Sequence, residues 1–430
     1  MTVSHSKKQG LRIARAIATI VPLAACIVAA DASAQMTVTQ RGDNGIKVGS
    51  GRLHPLLGFE TRYDSYVGLS QEQAAGKDPA GIGDMILHVK PGFELVVPSD
   101  SIEIGAQFLL DYNAYMGQTE SWTTDLSKTR ASFDFDALVN PKGDVKVGFA
   151  EKFARTDINT NLALPVLSVS DRNDAGVSVE YTPGGGALML KPAYVNTYEH
   201  FESRDGDTSE LARYDYMQHT VGLTVGYKLQ PEAALLLDVA AGIRNYERER
   251  SKQFDNTSVR ATVGFAGMVA PKISLLAKAG FGTQLEGPDV PADTSGFQSA
   301  IGQLELGYLY SETTQVRLGY ARSFEPTPSA GLYYSDDRIY LDARARMAQR
   351  LLLRAGVSYD MIDLPERATG STDTLIGFMV GPDWEFNSVF TAGVSYAFTQ
   401  RTSDLPVAGG LSDGYEYDRH EIGVHVVAYY

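Results

Sequence analysis

Four arginines stand where their chemistry could act together. Arg344 and Arg346 are two residues apart, and Arg317 and Arg354 lie in the stretches on either side. A guanidinium offers a planar fork of N–H donors that fits a carboxylate or phosphate, so four on one surface would make a track for anionic solutes. Acids are interleaved with them. Asp342 and Glu305 lie close by, and Asp238 and Arg244 form a second mixed pair upstream. These eight residues are the candidate pore-lining set, and two readings of them stay open. On one, the opposite charges form a cross-strand lattice that stiffens a wall; on the other, the arginines select ions as charged rings do in pores.

Bond-making chemistry finds no comparable constellation. The seven histidines are scattered, and neither a Gly-x-Ser-x-Gly elbow nor a His-Glu-x-x-His pair occurs. Asp205-Gly206-Asp207 and Asp289 with Asp293 lack the spacing of a calcium-binding loop. No catalytic residue, metal site or cofactor is therefore assigned, and the chain is not read as an enzyme. The net charge of −14 argues against a nucleic-acid partner, which calls for a basic face.

These side chains must be positioned by something, and the elements are visible in the hydropathy. From residue 53 onward, segments of strand length alternate apolar and polar positions. In Ala233 to Tyr246, Leu235, Leu237, Val239, Ala241 and Ile243 share one face, while Asp238, Ala240, Gly242 and Arg244 share the other. Residues 338–347 and 351–361 repeat the pattern and put Arg344, Arg346 and Arg354 on the polar face. A period of two is the strand signature, since a helix would mix the two sets. Eighteen such segments are expected. Short turns, such as Pro98-Ser99-Asp100 and Asn140-Pro141-Lys142-Gly143, alternate with longer polar connections near 68–83, 154–171, 325–334 and 401–416. Pro91, Pro192 and Pro382 fall inside strands, and a bulge is expected at each.

The polar face carries charge on nearly every segment. Burying it in a dry core would be costly, whereas a water-filled lumen removes the cost. The segments also match the length of about 9–11 residues that a tilted membrane strand needs. The expected fold class is thus all-β, a transmembrane antiparallel up-and-down barrel of about 18 strands, with short periplasmic turns and long extracellular loops. Tyr63, Tyr66, Tyr112, Tyr115, Tyr194, Tyr198, Tyr214, Tyr216, Tyr308, Tyr310, Tyr415 and Tyr417 gather near strand ends. They suit an interfacial girdle, with stacking against sugar rings as the sharper alternative.

Both ends of the chain add to this. Lys7, Lys8, Arg12 and Arg15 precede an apolar stretch from Ala16 to Ala30, followed by Ala32-Ser33-Ala34 and Gln35. This is the layout of a secretory signal peptide cleaved between Ala34 and Gln35. Leu23-Ala24-Ala25-Cys26 also resembles a lipobox, and either reading exports the chain. Cys26, the one cysteine, would leave with the leader, so the mature chain could form no disulfide. Its net charge would be −17. The expected division is 1–34 signal peptide, 35–52 a polar periplasmic or plug segment, and 53–430 the barrel. At the other end Gly423, Val426, Ala428 and Tyr430 belong to an alternating strand that stops on an aromatic, resembling the assembly signal of outer-membrane barrels.

Arg52-Leu53-His54-Pro55, Phe59-Glu60 and Tyr63-Asp64-Ser65 are followed by Val89-Lys90-Pro91-Gly92-Phe93-Glu94-Leu95 and then by Asp111-Tyr112. This opening resembles the β-barrel porin-2 family, with Tyr66 standing where that family commonly has Asn. It is also similar to the myxobacterial exopolysaccharide-secretion porins. The resemblance implies a porin in the outer membrane of a Gram-negative bacterium, acting as a passive conduit for exopolysaccharide. Alternatives are a general diffusion porin for small solutes, with residues 154–171 or 401–416 long enough to fold inward, and a structural or adhesive barrel with a closed lumen. Expected partners are outer-membrane lipid and lipopolysaccharide, the barrel-assembly machinery, and on the first reading polysaccharide and periplasmic export proteins.

Overall fold

The computed structural model describes residues 44–67, 82–117, 127–156, 169–202, 214–286, 297–311, 313–326, 333–364, 371–404 and 416–430. The leader with Ala32, Ala34 and Gln35, the calcium-like acids at 205–207, 289 and 293, and Tyr415 lie outside them.

Among the described residues one sheet contains nineteen strands. In order these are β1 (Ile46–Val48), β2 (Gly51–Asp64), β3 (Asp84–Val97), β4 (Ile102–Tyr115), β5 (Lys128–Val139) and β6 (Val145–Thr156). Then come β7 (Ser170–Tyr181), β8 (Leu188–Phe201), β9 (Tyr216–Gln230), β10 (Ala233–Tyr246), β11 (Asn256–Ala270) and β12 (Ile273–Glu286). The series ends with β13 (Phe297–Ser311), β14 (Thr314–Pro326), β15 (Tyr333–Met347), β16 (Leu351–Leu364), β17 (Ser371–Glu385), β18 (Phe390–Ser403) and β19 (Tyr417–Tyr429). Strands β2 to β19 pair antiparallel, each with the next, and β19 closes on β2 through Glu421↔Asp64 to Tyr429↔Leu56. The fold is a closed barrel of eighteen long strands, and β1 is a short ribbon against the start of β2. At about 4.8 Å per strand and the usual tilt, eighteen strands make a cylinder roughly 35 Å across.

The alternation dictates which side chains see lipid. Along β2 the residues Pro55, Leu57, Phe59, Thr61 and Tyr63 are exposed, and His54, Leu56, Gly58, Glu60, Arg62 and Asp64 are buried. The exposed set continues around the wall with Leu237, Val239, Val263, Phe281, Leu304, Leu318, Ile339, Val357 and Val424. A continuous apolar belt of this size is a surface for hydrocarbon, not water.

The short connections show the expected turn chemistry. Asn140 sits at φ 57°, and its side chain folds over Gly143, where a Cβ would fall 2.0 Å from Asn140 Nδ2. Ala348 and Gln349 both adopt positive φ, the conformation of a turn that follows the right-handed twist of the strands. The prolines differ from expectation. At Pro91, Pro192 and Pro382 the register runs on unchanged, with no bulge. Each ladder simply skips the proline and one neighbour on one side, because the ring lacks an N–H to donate while its φ suits an extended strand. The register shifts lie instead beside short turns, at Ala233/Ala234, Met268/Ala270 and Leu309/Ser311.

Candidate functional site

The inner wall divides into sectors of different character. Where β19 meets β2, acids and bases are matched. Glu60 receives Arg62 at 2.7 Å and Lys90 at 2.5 Å, and Arg62 reaches Glu421 across the closure at 3.2 Å. Arg419 binds Asp64 at 2.6 Å, and His88 Nδ1 lies 3.1 Å from Asp111. Arg354 and His425 share Asp383 at 2.6 and 3.0 Å, and Arg401 binds Asp373 at 2.6 Å. These groups are buried by one another, with Glu60 only 3% exposed.

All eight candidate pore-lining residues occupy inward register positions. Arg346 makes a two-point contact with Glu385 at 2.5 and 2.9 Å, and Arg317 lies 3.3 Å from Asp342. Arg354 is held by Asp383 as above, Tyr340 donates to Glu305 at 2.6 Å, and Lys278 binds Asp238 at 2.8 Å. Arg344 differs: it stands opposite Arg354 in the ladder and has no carboxylate at ion-pair distance among the described residues. The quartet is thus brought together, but three of its members are already paired. Of the terminal set, Gly423 faces inward, where a Cβ would approach Ser395 Oγ to 2.7 Å; Val426 faces lipid, as Ala428 does by alternation; and Tyr430 donates its backbone N–H to Pro55 O at 3.0 Å.

The wall changes at β14. Pairing between β13 and β14 stops at Gly302↔Arg322, although both strands continue beyond it, and β14 stays paired with β15 through Pro326↔Tyr333. The end of this hairpin leaves the cylinder and lies across the inner faces of β10 to β13. Arg244 on β10 donates to Pro326 O at 3.0 Å, and Arg260 on β11 donates to Phe324 O at 2.6 Å. In the plane of the wall β10 and β14 would be roughly 19 Å apart, beyond the reach of an arginine. Phe324 is 0% exposed and fills the space over Gly282, whose Cβ would fall 2.2 Å from the ring. Phe297 of β13 holds the hairpin from below, edge-on to Phe324 at 5.2 Å and stacked on Tyr333 at 3.5 Å. Strand parity explains this: Phe324 and Tyr333 would face lipid in the cylinder, so folding inward turns them onto the wall.

Glu325, on the same hairpin, lies 3.2 Å from Arg260 and 3.8 Å from Arg244. Arg244 also donates to Gln218 at 2.7 Å and sits 4.0 Å over the Tyr216 ring. Arg172 flanks them, bound to Asp174 at 3.0 Å. Together they line a small pocket that is open to the lumen. Sequence reasoning placed Arg244 on the inner face but missed Arg172, Arg260 and Glu325. Parity alone assigns Arg260 inward; nothing local in the sequence brings it to Glu325. Tyr216 is also corrected here, since it points into the lumen rather than into a girdle. Tyr214 is buried too, and Tyr66 stacks on Tyr417 at 5.2 Å, where burial, with Tyr417 beside it, pushes its hydroxyl up to about 12. Tyr63, Tyr112, Tyr194, Tyr308 and Tyr310 are exposed on the outside, as a girdle requires.

The family model described as putative beta-barrel porin 2 matches residues 42–430. The chain belongs to this family. It is an outer-membrane β-barrel porin, and the apolar belt is its lipid-facing surface. Among curated proteins none matches the chain. Of solved structures, the chain is similar to OccAB3 of Acinetobacter baumannii, at 12% identity over 89% of this chain and 100% of that one, with a TM-score of 0.47. It is also similar to a BenF-like porin from Pseudomonas fluorescens Pf-5, at 9% identity over 89% and 99%, with a TM-score of 0.48. The outer-membrane protein opdK of Pseudomonas aeruginosa matches at 10% identity over 88% and 99%, with a TM-score of 0.47.

Proposed function

We propose that this porin is a diffusion channel for small hydrophilic solutes. The observation that carries the reading is the inward-folded end of the β14–β15 hairpin. Eighteen strands enclose a water-filled lumen, and an element crossing from β14 to β10 narrows its extracellular half. Charged and hydroxyl-bearing side chains line the remaining passage, so a solute trades water for polar wall contacts without entering an apolar barrier. Conduction is passive.

The polymer-conduit reading, a passive route for exopolysaccharide, rests on the strand number and on the resemblance in the opening strands. It needs a bore that accepts an extended hydrated chain, and the hairpin occupies part of that bore.

Swelling of liposomes that contain the purified protein separates the two. Entry of mono- and disaccharides, with rates falling steeply as oligosaccharides lengthen, supports the diffusion channel. Comparable entry of long polysaccharide, or its transient block of single-channel current, favours the conduit. Liposomes that hold the folded protein and neither swell nor conduct would overturn both.

A further inference from the structure

The pocket beneath the hairpin is a ready-made anion seat occupied by the protein's own carboxylate. Two guanidinium groups, the buried Arg244 and the half-buried Arg260, share the single carboxylate of Glu325. Both also donate to neutral acceptors: Pro326 O and Gln218 Oε1 for Arg244, and Phe324 O for Arg260. Arg260 Nε is buried with no acceptor among the described residues. The two guanidinium groups therefore outnumber the one carboxylate they share, and an unfilled donor remains. A carboxylate brought by a solute could take a two-point contact with Arg260, the geometry that guanidinium favours.

The rest of the pocket narrows the kind of carboxylate. Ser258 and Thr220 present hydroxyls on either side of Gly242, and a Cβ there would stand 3.1 Å from Ser258 Oγ and 3.3 Å from Thr220 Oγ1. The absence of a side chain at Gly242 keeps the floor between the two hydroxyls open. No large aliphatic side chain lines the pocket, so an alkyl carboxylate would find little apolar surface. Hydroxyl groups on the solute would find hydrogen-bonding partners. A second, smaller pocket adjoins, sharing Arg260 and Ala240 and continuing to Lys191 on β8. Lys191 has no carboxylate at ion-pair distance among the described residues, so a cation awaits the solute on the periplasmic side of Arg260.

We propose that this pocket binds small hydroxylated carboxylates of the sugar-acid type, and that they compete with Glu325 for Arg260 and Arg244. Binding would exchange the hairpin's own counter-ion for the solute, loosening the latch that holds the hairpin across the lumen. The proposal rests on the diffusion-channel reading and assigns it a substrate class. It involves no covalent step.

The test is single-channel recording of the purified protein in potassium chloride, with galacturonate or uncharged galactose added at equal concentration. Galacturonate should interrupt the wild-type current in discrete events at lower concentration than galactose. Glu325→Gln removes the internal competitor and should lengthen those events about tenfold, in line with the loss of one competing charge-assisted contact. Arg260→Ala should abolish them, and Gly242→Leu, which fills the floor, should do the same without altering charge. If Arg260→Ala gives no channels because it fails to fold, the Glu325→Gln and Gly242→Leu results decide. Equal effects of galacturonate and galactose on the wild type would overturn the proposal, as would shorter events in Glu325→Gln. A wild type that conducts without discriminating sinks the pocket and leaves the channel reading intact; a silent wild type sinks the channel reading itself.

Discussion

The closure between β19 and β2 and the wall from β8 to β11 share one sequence pattern and use it to opposite ends. Both alternate apolar and polar residues, and both put arginines on the inner face. At the closure each base meets an acid within the wall: Arg62 has Glu60 and Glu421, and Arg419 has Asp64. In the other sector Arg244 and Arg260 have Glu325, which arrives from four and three strands away. Charge matched by near neighbours stiffens a wall. Charge matched only by a removable element is available to something else, so where the counter-charge comes from separates lattice from site better than a count of charges does.

The sharpest way to break this comparison is to unmatch the matched sector. Arg62→Ala would leave Glu60 with Lys90 alone and Glu421 with Arg419 alone, and removing one partner of a buried ionic network costs at most about 3–5 kcal/mol. Urea unfolding in phospholipid vesicles should show that loss; a change under about 1 kcal/mol would mean that water reaches these groups freely. Next in size is Arg260→Ala. It removes one ion pair and one charge-assisted hydrogen bond to the hairpin, about 1.5–3 kcal/mol at most. Its diagnostic signal is a rise in single-channel conductance, which Arg62→Ala should not reproduce. A smaller effect is expected at Arg344. Since Arg344 has no paired acid to strand, Arg344→Ala should keep stability within about 0.5 kcal/mol while shifting reversal potential toward cation preference. An unchanged reversal potential would place Arg344 away from the ion path. At the bottom of the range is Lys142→Ala. Lys142 pairs with Asp100 across two exposed turns, and such pairs contribute about 0–1 kcal/mol, screened by salt. A clear fall in stability would mean that the turns are more tightly coupled than their exposure suggests.

Much of the fold was legible because strand parity is a local property. Ala233 to Tyr246 reads as a strand from its own residues, and the structure gives it those same ends. The turn at Asn140–Gly143 is equally local, fixed by the backbone each residue tolerates. Parity also sends Arg317, Arg344, Arg346 and Arg354 inward. What parity cannot supply is which acid meets which base, since Arg346 finds Glu385 on β17, two strands away, and His425 finds Asp383 diagonally. The hairpin was illegible for a stronger reason. Ser323, Phe324 and Glu325 continue the alternation without interruption, and only the distant Arg244, Arg260, Phe297 and Gly282 tell that stretch to leave the wall. The prolines misled in the other direction: a missing donor suggests a bulge when read locally, whereas a long ladder tolerates a skipped bond without changing register.

The pairing of Glu421 with Asp64 spans almost the whole chain. Every other pair of barrel neighbours is also adjacent in sequence and can zip as a hairpin, at small entropic cost for each connection. The last pairing must wait until seventeen others have curled the sheet round, and until then β2 and β19 are two bare edges able to pair with any passing strand. The ionic contacts that cross the closure, Arg62 to Glu421 and Arg419 to Asp64, therefore act in time as well as in space: they form only when the correct edges meet in the correct register, so they reward completion and do nothing for a sheet that closes on a stranger.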